Sequence, residues 1–278
     1  MLAQLGDDAK LLAGGQSLIP LMKLRFANPS HLVDLNFISG TAYIKEDAGT
    51  VRFGAMTRHA EIEASAAVAR VPILHDCAAG IADVQVRNRG TIGGSLAEAD
   101  PSGDWATVLF TLSAKVVCLG ANGERTVSLP DFIMDAYTTA LAQDELVSEV
   151  AVKIPPQGSG GAYLAFKRSA PVYPTASAAV QLTMDGDVCN DAAIALGCVG
   201  LIPIRADEAE AALRGQALTE KTIASAMEAA RAVADPQSDM RGSADYKRTL
   251  VGALVKRAIE IGIRRAHGEQ VEVGHIYA

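Results

Sequence analysis

The chain has 278 residues, 49% hydrophobic and 21% charged, which describes a folded polypeptide with room for two cores and excludes a disordered one. A net charge of -7 and a pI near 5.3 argue against a nucleic-acid partner, because phosphate backbones are bound by clustered Lys and Arg. The longest apolar runs, such as Val108 to Leu112, are too short to span a bilayer, and Met1 to Lys10 lacks the basic segment and apolar core of a signal peptide.

Lys10 to Leu12 reads as a short strand running into Ala13-Gly14-Gly15-Gln16-Ser17, and His31 to Leu35 as a second strand. Glycine has no Cβ, so successive N–H groups in such a loop can turn inward around a phosphate. Tyr43 to Lys45 and Val51 to Phe53 read as a hairpin. Thr57 precedes an alanine-rich helical stretch to Arg70, and Val71-Pro72 opens another helix through Ala78 and Ala79 toward Val86. A second glycine loop, Thr91-Ile92-Gly93-Gly94-Ser95, follows Arg87-Asn88-Arg89-Gly90. The two pairs together suggest backbone loops closing on one anionic ligand.

Trp105 to Leu112 looks like a buried helix, and Lys115 to Leu119 with Arg125 to Leu129 form a second hairpin, turned by Asn122-Gly123. Val150, Val152 and Ile154 alternate with polar or small residues in a half-exposed strand that ends at Pro155-Pro156. The glycine-rich segment Gln157 to Gly161 marks a domain boundary. Ala162 to Lys167, Ala176 to Met184 and Ala192 to Val199 then read as three strands of a small antiparallel sheet, with Asp185-Gly186-Asp187 as one turn. Asp207 to Leu213 is a short helix stopped by Gly215, and Ile223, Ala226, Met227 and Ala230 mark one apolar helical face. The last long helix starts at Ser243 as N-cap with Asp245 in its first turn, and carries Arg257, Arg264 and Arg265 toward its end.

The four cysteines, Cys77, Cys118, Cys189 and Cys198, form no C-x-x-C pair, so they read as buried free thiols in a reducing cytoplasm. His31, His59, His75, His267 and His275 show no metal-binding spacing, and no metal site is expected. No paired carboxylates, Ser-His-Asp arrangement or reactive cysteine points to bond-breaking chemistry, and no catalytic residue is expected in this chain.

Leu11 to Leu18, Ile81-Ala82-Asp83 through Thr91 to Ser95, Asp100-Pro101-Ser102-Gly103-Asp104, and Ser238 to Gly242 followed by Ala244-Asp245-Tyr246 occur in one order. In these motifs the chain resembles the FAD-binding medium subunit of the molybdenum hydroxylases, the xanthine dehydrogenase and aerobic carbon monoxide dehydrogenase family. The resemblance implies an α+β fold. Residues 1–156 would form a two-part FAD-binding domain of the PCMH type, a mixed α/β subdomain plus an antiparallel-sheet subdomain. Residues 161–270 would form a C-terminal domain with a three-stranded antiparallel sheet and a helix bundle. The chain starts inside what resembles the end of the family's first helix, so the preceding strand and helix are expected to be truncated.

The same resemblance implies a site. Both glycine loops would hold the FAD pyrophosphate, through Leu12, Ala13, Gly14, Gly15, Gln16, Ser17 and Leu18 and through Thr91, Ile92, Gly93, Gly94 and Ser95. Four charge-assisted hydrogen bonds would contribute about 6–12 kcal/mol, enough for a tightly held dinucleotide. Asp104 falls near the adenosine ribose, or else caps the helix from Trp105. Lys167 meets the cofactor's polar edge or the anionic reduced flavin, or else is a surface strand lysine. Tyr173 lies against the flavin ring, where Ile81 and Leu146 are lining residues or plain core. Ser95 stands where many relatives carry Asn, and Pro171 and Pro174 stiffen a loop where the family shows a Gly-Asp pair.

The implied function is that of an FAD-carrying electron-transfer subunit. The partners would be a large molybdopterin subunit and a small iron–sulfur subunit with two [2Fe–2S] clusters, assembled as a dimer of heterotrimers. A quinone or NAD-type molecule would be the acceptor. A self-sufficient flavin-dependent oxidoreductase of the same fold and a non-catalytic dinucleotide-binding module are the alternatives.

Overall fold

The computed structural model describes residues 2–274 with 276 and 277; Met1, Ala278 and His275, one of the five histidines weighed above, lie outside the described residues. The strand Ala9–Leu12 pairs in parallel with His31–Asp34, from Ala9 opposite His31 to Leu12 opposite Asp34. A parallel pair needs a crossover, and the first glycine loop with the helix Leu18–Lys23 supplies it. The loop therefore sits at the C-terminal end of the strand Ala9–Leu12, where ligands of parallel units gather.

A five-stranded antiparallel sheet follows, in the order Ile44–Asp47, Thr50–Gly54, Leu146–Lys153, Lys115–Gly120, Gly123–Ser128. The expected alternation holds, with Val150, Val152 and Ile154 buried. Ser148 is an extra residue in the pairing, since Val117 faces Glu149 while Cys118 faces Val147. This bulge returns Val147 to the core side and frees the Ser148 carbonyl for the Ala55 N–H at 3.0 Å. The turn of the second hairpin is built on Ala121-Asn122, with Gly123 already paired to Gly120, so Asn122-Gly123 does not occupy the two central positions.

The alanine-rich stretch is broken where one helix was expected. His59–Glu63 is helical, then Ser65 accepts the Ala67 N–H and starts a separate 3₁₀ turn over Ala66–Arg70. A local side-chain cap competes with helix continuation, and here it prevails. The helix Pro72–Gly80 likewise stops short of Val86, because Ala82 adopts a φ of 42° and Asp83 caps a new turn, Val84–Arg87. Asp104–Thr111 is buried along nearly its whole length, including Trp105.

Three long strands, Ser159–Lys167, Ala176–Asp185 and Val188–Gly197, make the C-terminal sheet, widened by short pieces at Ile204–Arg205, Gln216–Ala217 and Ile276–Tyr277. The first strand begins inside the glycine-rich segment that reads as linker. A Cβ at Gly160 would run into the Gly262 carbonyl and the Ala266 amide of the last helix, so glycine there serves close packing. That helix, Ala244–Ala266, is capped by Ser243 and lies on the sheet with Glu220–Val233 beside it.

Two hydrophobic clusters result. One holds Phe53, Trp105, Leu109 and Phe132, and the other holds Leu182, Leu196, Val255 and Ile259. Tyr163 and Ala179 of the C-terminal sheet belong to the first cluster, while Leu164 and Val180 belong to the second. The sheet is thus covered on both faces, which places the start of its first strand against the N-terminal helices. Lys167 and Tyr163 reach the N-terminal half in this way.

Candidate cofactor cleft

A cleft of 1020 Å³ opens between the first glycine loop, the Thr91–Ser95 segment and the Lys167–Tyr173 part of the C-terminal half. That is the upper end of the range of small-molecule sites. It takes in Ala13, Gly14, Gly15, Gln16, Ser17, Leu18, Ile81, Thr91, Gly93, Gly94, Ser95, Asp104, Leu146, Lys167 and Tyr173. Two expected residues stay outside it. Ile92 is fully buried in the first core, and Leu12 packs against Gly15.

Gly14 is held by close approach. A Cβ there would stand 2.7 Å from Gly90 Cα and would strike the Arg89 carbonyl. The loop is pinned from the other side as well: Asn36 Nδ2 donates to the Ala13 carbonyl at 2.9 Å, and the Arg58 guanidinium bridges Asn36 Oδ1 and the Arg89 carbonyl. Gly15 and Ser17 give their carbonyls to Ile19 and Leu21. The N–H groups of Gly14, Gly15, Gln16 and Ser17 donate to no protein acceptor among the described residues. Four consecutive unengaged donors on a cleft wall are available to an anion, as in a backbone nest.

The second glycine pair behaves differently, and the expectation of a second loop is corrected. Thr91 caps a short helix, Ile92–Glu98, and Gly93 and Gly94 lie in its first turn. Ile92 N–H donates to Thr57 O at 3.1 Å, Gly93 N–H to Ala55 O at 2.9 Å, Gly94 N–H to Thr91 Oγ1 at 3.1 Å and Ser95 N–H to Thr91 O at 3.0 Å. These donors are engaged inside the protein, so the segment forms a wall of the cleft. Its glycines allow the approach of the first loop: a Cβ on Gly94 would stand 3.3 Å from the Ala13 Cβ.

Asp104 is the first residue of its helix and the N-cap is Gly103, which rules out the capping role for the carboxylate. Instead Asp104 Oδ1 accepts from Tyr163 Oη at 2.8 Å and lies 3.5 Å from Lys167 Nζ. Lys167 is buried and donates to the Gly80 carbonyl at 2.6 Å, so it is no surface lysine. Burial, then the Asp104 charge, pushes the Tyr163 hydroxyl far above its ordinary range and keeps it a donor. Sequence reasoning missed Tyr163, Asn36 and Arg58, because no spacing links them to the glycine loop; only the fold does.

Tyr173 is 42% exposed at the cleft mouth, with the Arg241 guanidinium carbon 5.8 Å from its ring centroid. Arg241 also donates to Ser102 Oγ at 2.9 Å, tying the loop before the last helix to the Asp100–Asp104 motif. Burial, then the charge of Asp100, raises the Tyr173 hydroxyl; burial, then Asp100, also raises the Glu98 carboxyl. The cleft carries the carboxylates of Glu98, Asp100, Asp104 and Glu145 against the cations Lys10 and Lys167. Any phosphate bound here is therefore held by backbone dipoles more than by cationic side chains.

A family profile described as the FAD binding domain in molybdopterin dehydrogenase matches residues 1–157, and one described as the CO dehydrogenase flavoprotein C-terminal domain matches residues 161–261. The chain belongs to the FAD-binding medium subunits of the molybdenum hydroxylases. It is 43% identical over 260 residues to the carbon monoxide dehydrogenase medium chain of Hydrogenophaga pseudoflava, covering 93% of this chain and 91% of the relative. It is 39% identical over 277 residues to the 6-hydroxypseudooxynicotine dehydrogenase complex subunit alpha of Paenarthrobacter nicotinovorans, covering 99% and 94%. The carbon monoxide dehydrogenase structure from Hydrogenophaga pseudoflava that lacks the Mo-pyranopterin moiety superposes with a TM-score of 0.92 at 44% identity, over 95% of this chain and 92% of that one. The chain is thus a flavoprotein subunit of an oxidoreductase, and the unengaged nest and the cleft volume fit the FAD that this family binds.

Proposed function

We propose that this medium subunit carries FAD as the junction between the iron–sulfur clusters of a small partner subunit and a quinone or NAD-type acceptor, with substrate oxidised on a large molybdopterin subunit. Two such heterotrimers pair in the complete enzyme. When bound, FAD supplies the exchange between single-electron and paired-electron transfer. The observation that carries the reading is the run of four unengaged N–H groups, Gly14 to Ser17, in a cleft of FAD size.

The chain's own residues then divide the work. Gly14 to Ser17 hold the pyrophosphate through N–H donors, and Ala13, Leu18, Thr91, Gly93, Gly94 and Ser95 shape the wall around it. Asp104, with Oδ1 oriented by Tyr163 and Lys167, accepts from ribose hydroxyls. Ile81, Leu146 and Tyr173 cover the flavin and exclude water from it. Lys167, 3.5 Å from Asp104, would place a positive charge beside the same part of the bound cofactor. Two units, 1–156 and 161–270, divide these tasks, a partition supported by the two cores and by the gap between the matched segments. All four cysteines are free thiols, which supports a cytoplasmic setting.

Relatives of nearly equal identity are named for carbon monoxide and for a nicotine derivative, so the substrate is set on another polypeptide. The purified chain is expected to show flavin absorbance that dithionite bleaches, and to bring iron and molybdenum with it when co-expressed with its partners. A colourless chain that FAD does not reconstitute overturns the cofactor placement. Turnover of a simple substrate by the isolated chain overturns the subunit role.

A further inference from the structure

His59 opens the helix His59–Glu63 and is 5% exposed. Its Nδ1 accepts a hydrogen bond from the indole Nε1 of the fully buried Trp105 at 3.0 Å, with the two rings tilted by 38°. An indole nitrogen only donates, so Nδ1 must be the bare nitrogen and the ring proton sits on Nε2. Trp105 thereby fixes the tautomer.

Nε2 has no protein partner among the described residues. It is also not one of the sealed orphan atoms of the interior, which are Thr107 Oγ1, Ser177 Oγ and Arg231 Nε. The Nε2 edge faces Gly90, where a Cβ would stand 2.6 Å from it, and both His59 and Gly90 line the cleft. Gly90 is also the residue against which Gly14 is pressed. His59 therefore stands at the seam between the two glycine segments, on the side where Ile92 to Ser95 offer no free N–H.

We propose that His59 is a cofactor-contacting residue whose Nε2–H donates to the pyrophosphate of bound FAD, beside the two glycine segments. The inference rests on FAD occupying this cleft with its pyrophosphate between the two segments. The Nε2–H has no protein acceptor among the described residues and is not sealed off, which leaves it for a phosphate oxygen in the cleft to accept from. The groups facing the ring favour a neutral donor. Burial, then the charges of Arg58 and Arg87, hold its basicity down to about 3, so the imidazole is uncharged at every physiological pH.

The full chain, stripped of flavin and labelled with nitrogen-15 histidine, separates this role from ordinary packing. FAD and ADP, which share the pyrophosphate, are expected to shift the His59 Nε2–H resonance, while riboflavin leaves it in place. His59→Phe is expected to weaken FAD and ADP binding by about 10- to 100-fold, the weight of one hydrogen bond to a charged group. His59→Gln, which keeps a donor, recovers part of that loss. Trp105→Phe removes the donor that fixes the tautomer but keeps the ring, which can still present Nε2–H, and is expected to weaken ADP binding less than His59→Phe does. Unchanged ADP affinity in a folded His59→Phe chain, or a wild-type Nε2–H that ADP does not move, overturns the proposal while leaving FAD in the cleft. A wild-type chain that binds neither FAD nor ADP overturns the cofactor placement itself and the proposal with it.

Discussion

Burial gives His59 a measurable signature independent of any ligand. Its pKa is held down to about 3 in the folded chain, against 6.5 for an ordinary histidine. As pH falls below 6.5 the unfolded chain takes up a proton that the folded chain refuses, so the stabilisation present above 6.5 is lost on the way to about 3. The slope from this residue approaches about 1.4 kcal/mol per pH unit. Urea unfolding between pH 6.5 and 5 is expected to show wild type losing more stability than His59→Gln, which does not titrate; equal slopes would show that His59 is protonated in the fold. At this scale the sequence was informative where a residue belonged to a motif. Asp104, Lys167 and Tyr173 do line the cleft. It was silent on His59 and Tyr163, whose partners Trp105 and Asp104 lie 46 and 59 positions away.

At the level of elements, the strand-to-glycine-loop junction was legible because a strand, a turn and a crossover are each local. The second glycine segment was not. Gly93-Gly94 reads as a breaker from propensity alone, yet Thr91 caps it into a helix, and Ala55 and Thr57, just past the end of the strand Thr50–Gly54, satisfy its first N–H groups. Propensity yielded to tertiary hydrogen bonding. The loop that remains is sensitive to volume. Gly14→Ala is expected to force the loop away from Arg89 and Gly90, costing about 1–3 kcal/mol in thermal stability and weakening FAD retention together. A variant of unchanged melting temperature and full flavin content would show that the Arg89 contact is soft.

The whole molecule is joined by one ion pair in particular. Asp76 of the helix Pro72–Gly80 receives two guanidinium hydrogen bonds from Arg265 of the last helix, at 2.6 and 2.8 Å, and the Tyr163 N–H at 3.1 Å. Arg265 also donates to the Gly161 and Val271 carbonyls, and both side chains are almost wholly buried. Arg265→Ala leaves a buried carboxylate with one donor, and is expected to lower the unfolding free energy by about 3–5 kcal/mol in urea. Arg265→Lys recovers little, since an ammonium cannot make the paired contact. A loss under about 1 kcal/mol would mean that water reaches Asp76. Because Tyr163, which orients Asp104, and Lys167, which lines the cleft, lie on the same strand, the variant is also expected to release flavin more readily.

By itself the sequence determined most of the elements, the family and the glycine loop proposed to hold a phosphate, because each rests on local periodicity, local caps or contiguous motifs. Only the tertiary structure decided which donors are free. The N–H groups of Gly14 to Ser17 are left open and those of Ile92 to Ser95 are closed by Ala55, Thr57 and Thr91, while the ring nitrogen of His59 is aimed by a tryptophan far along the chain. A hydrogen bond depends on where the acceptor lies in space, and two segments built on the same Gly-Gly pair differ in their free donors when the fold brings an acceptor to one and not to the other.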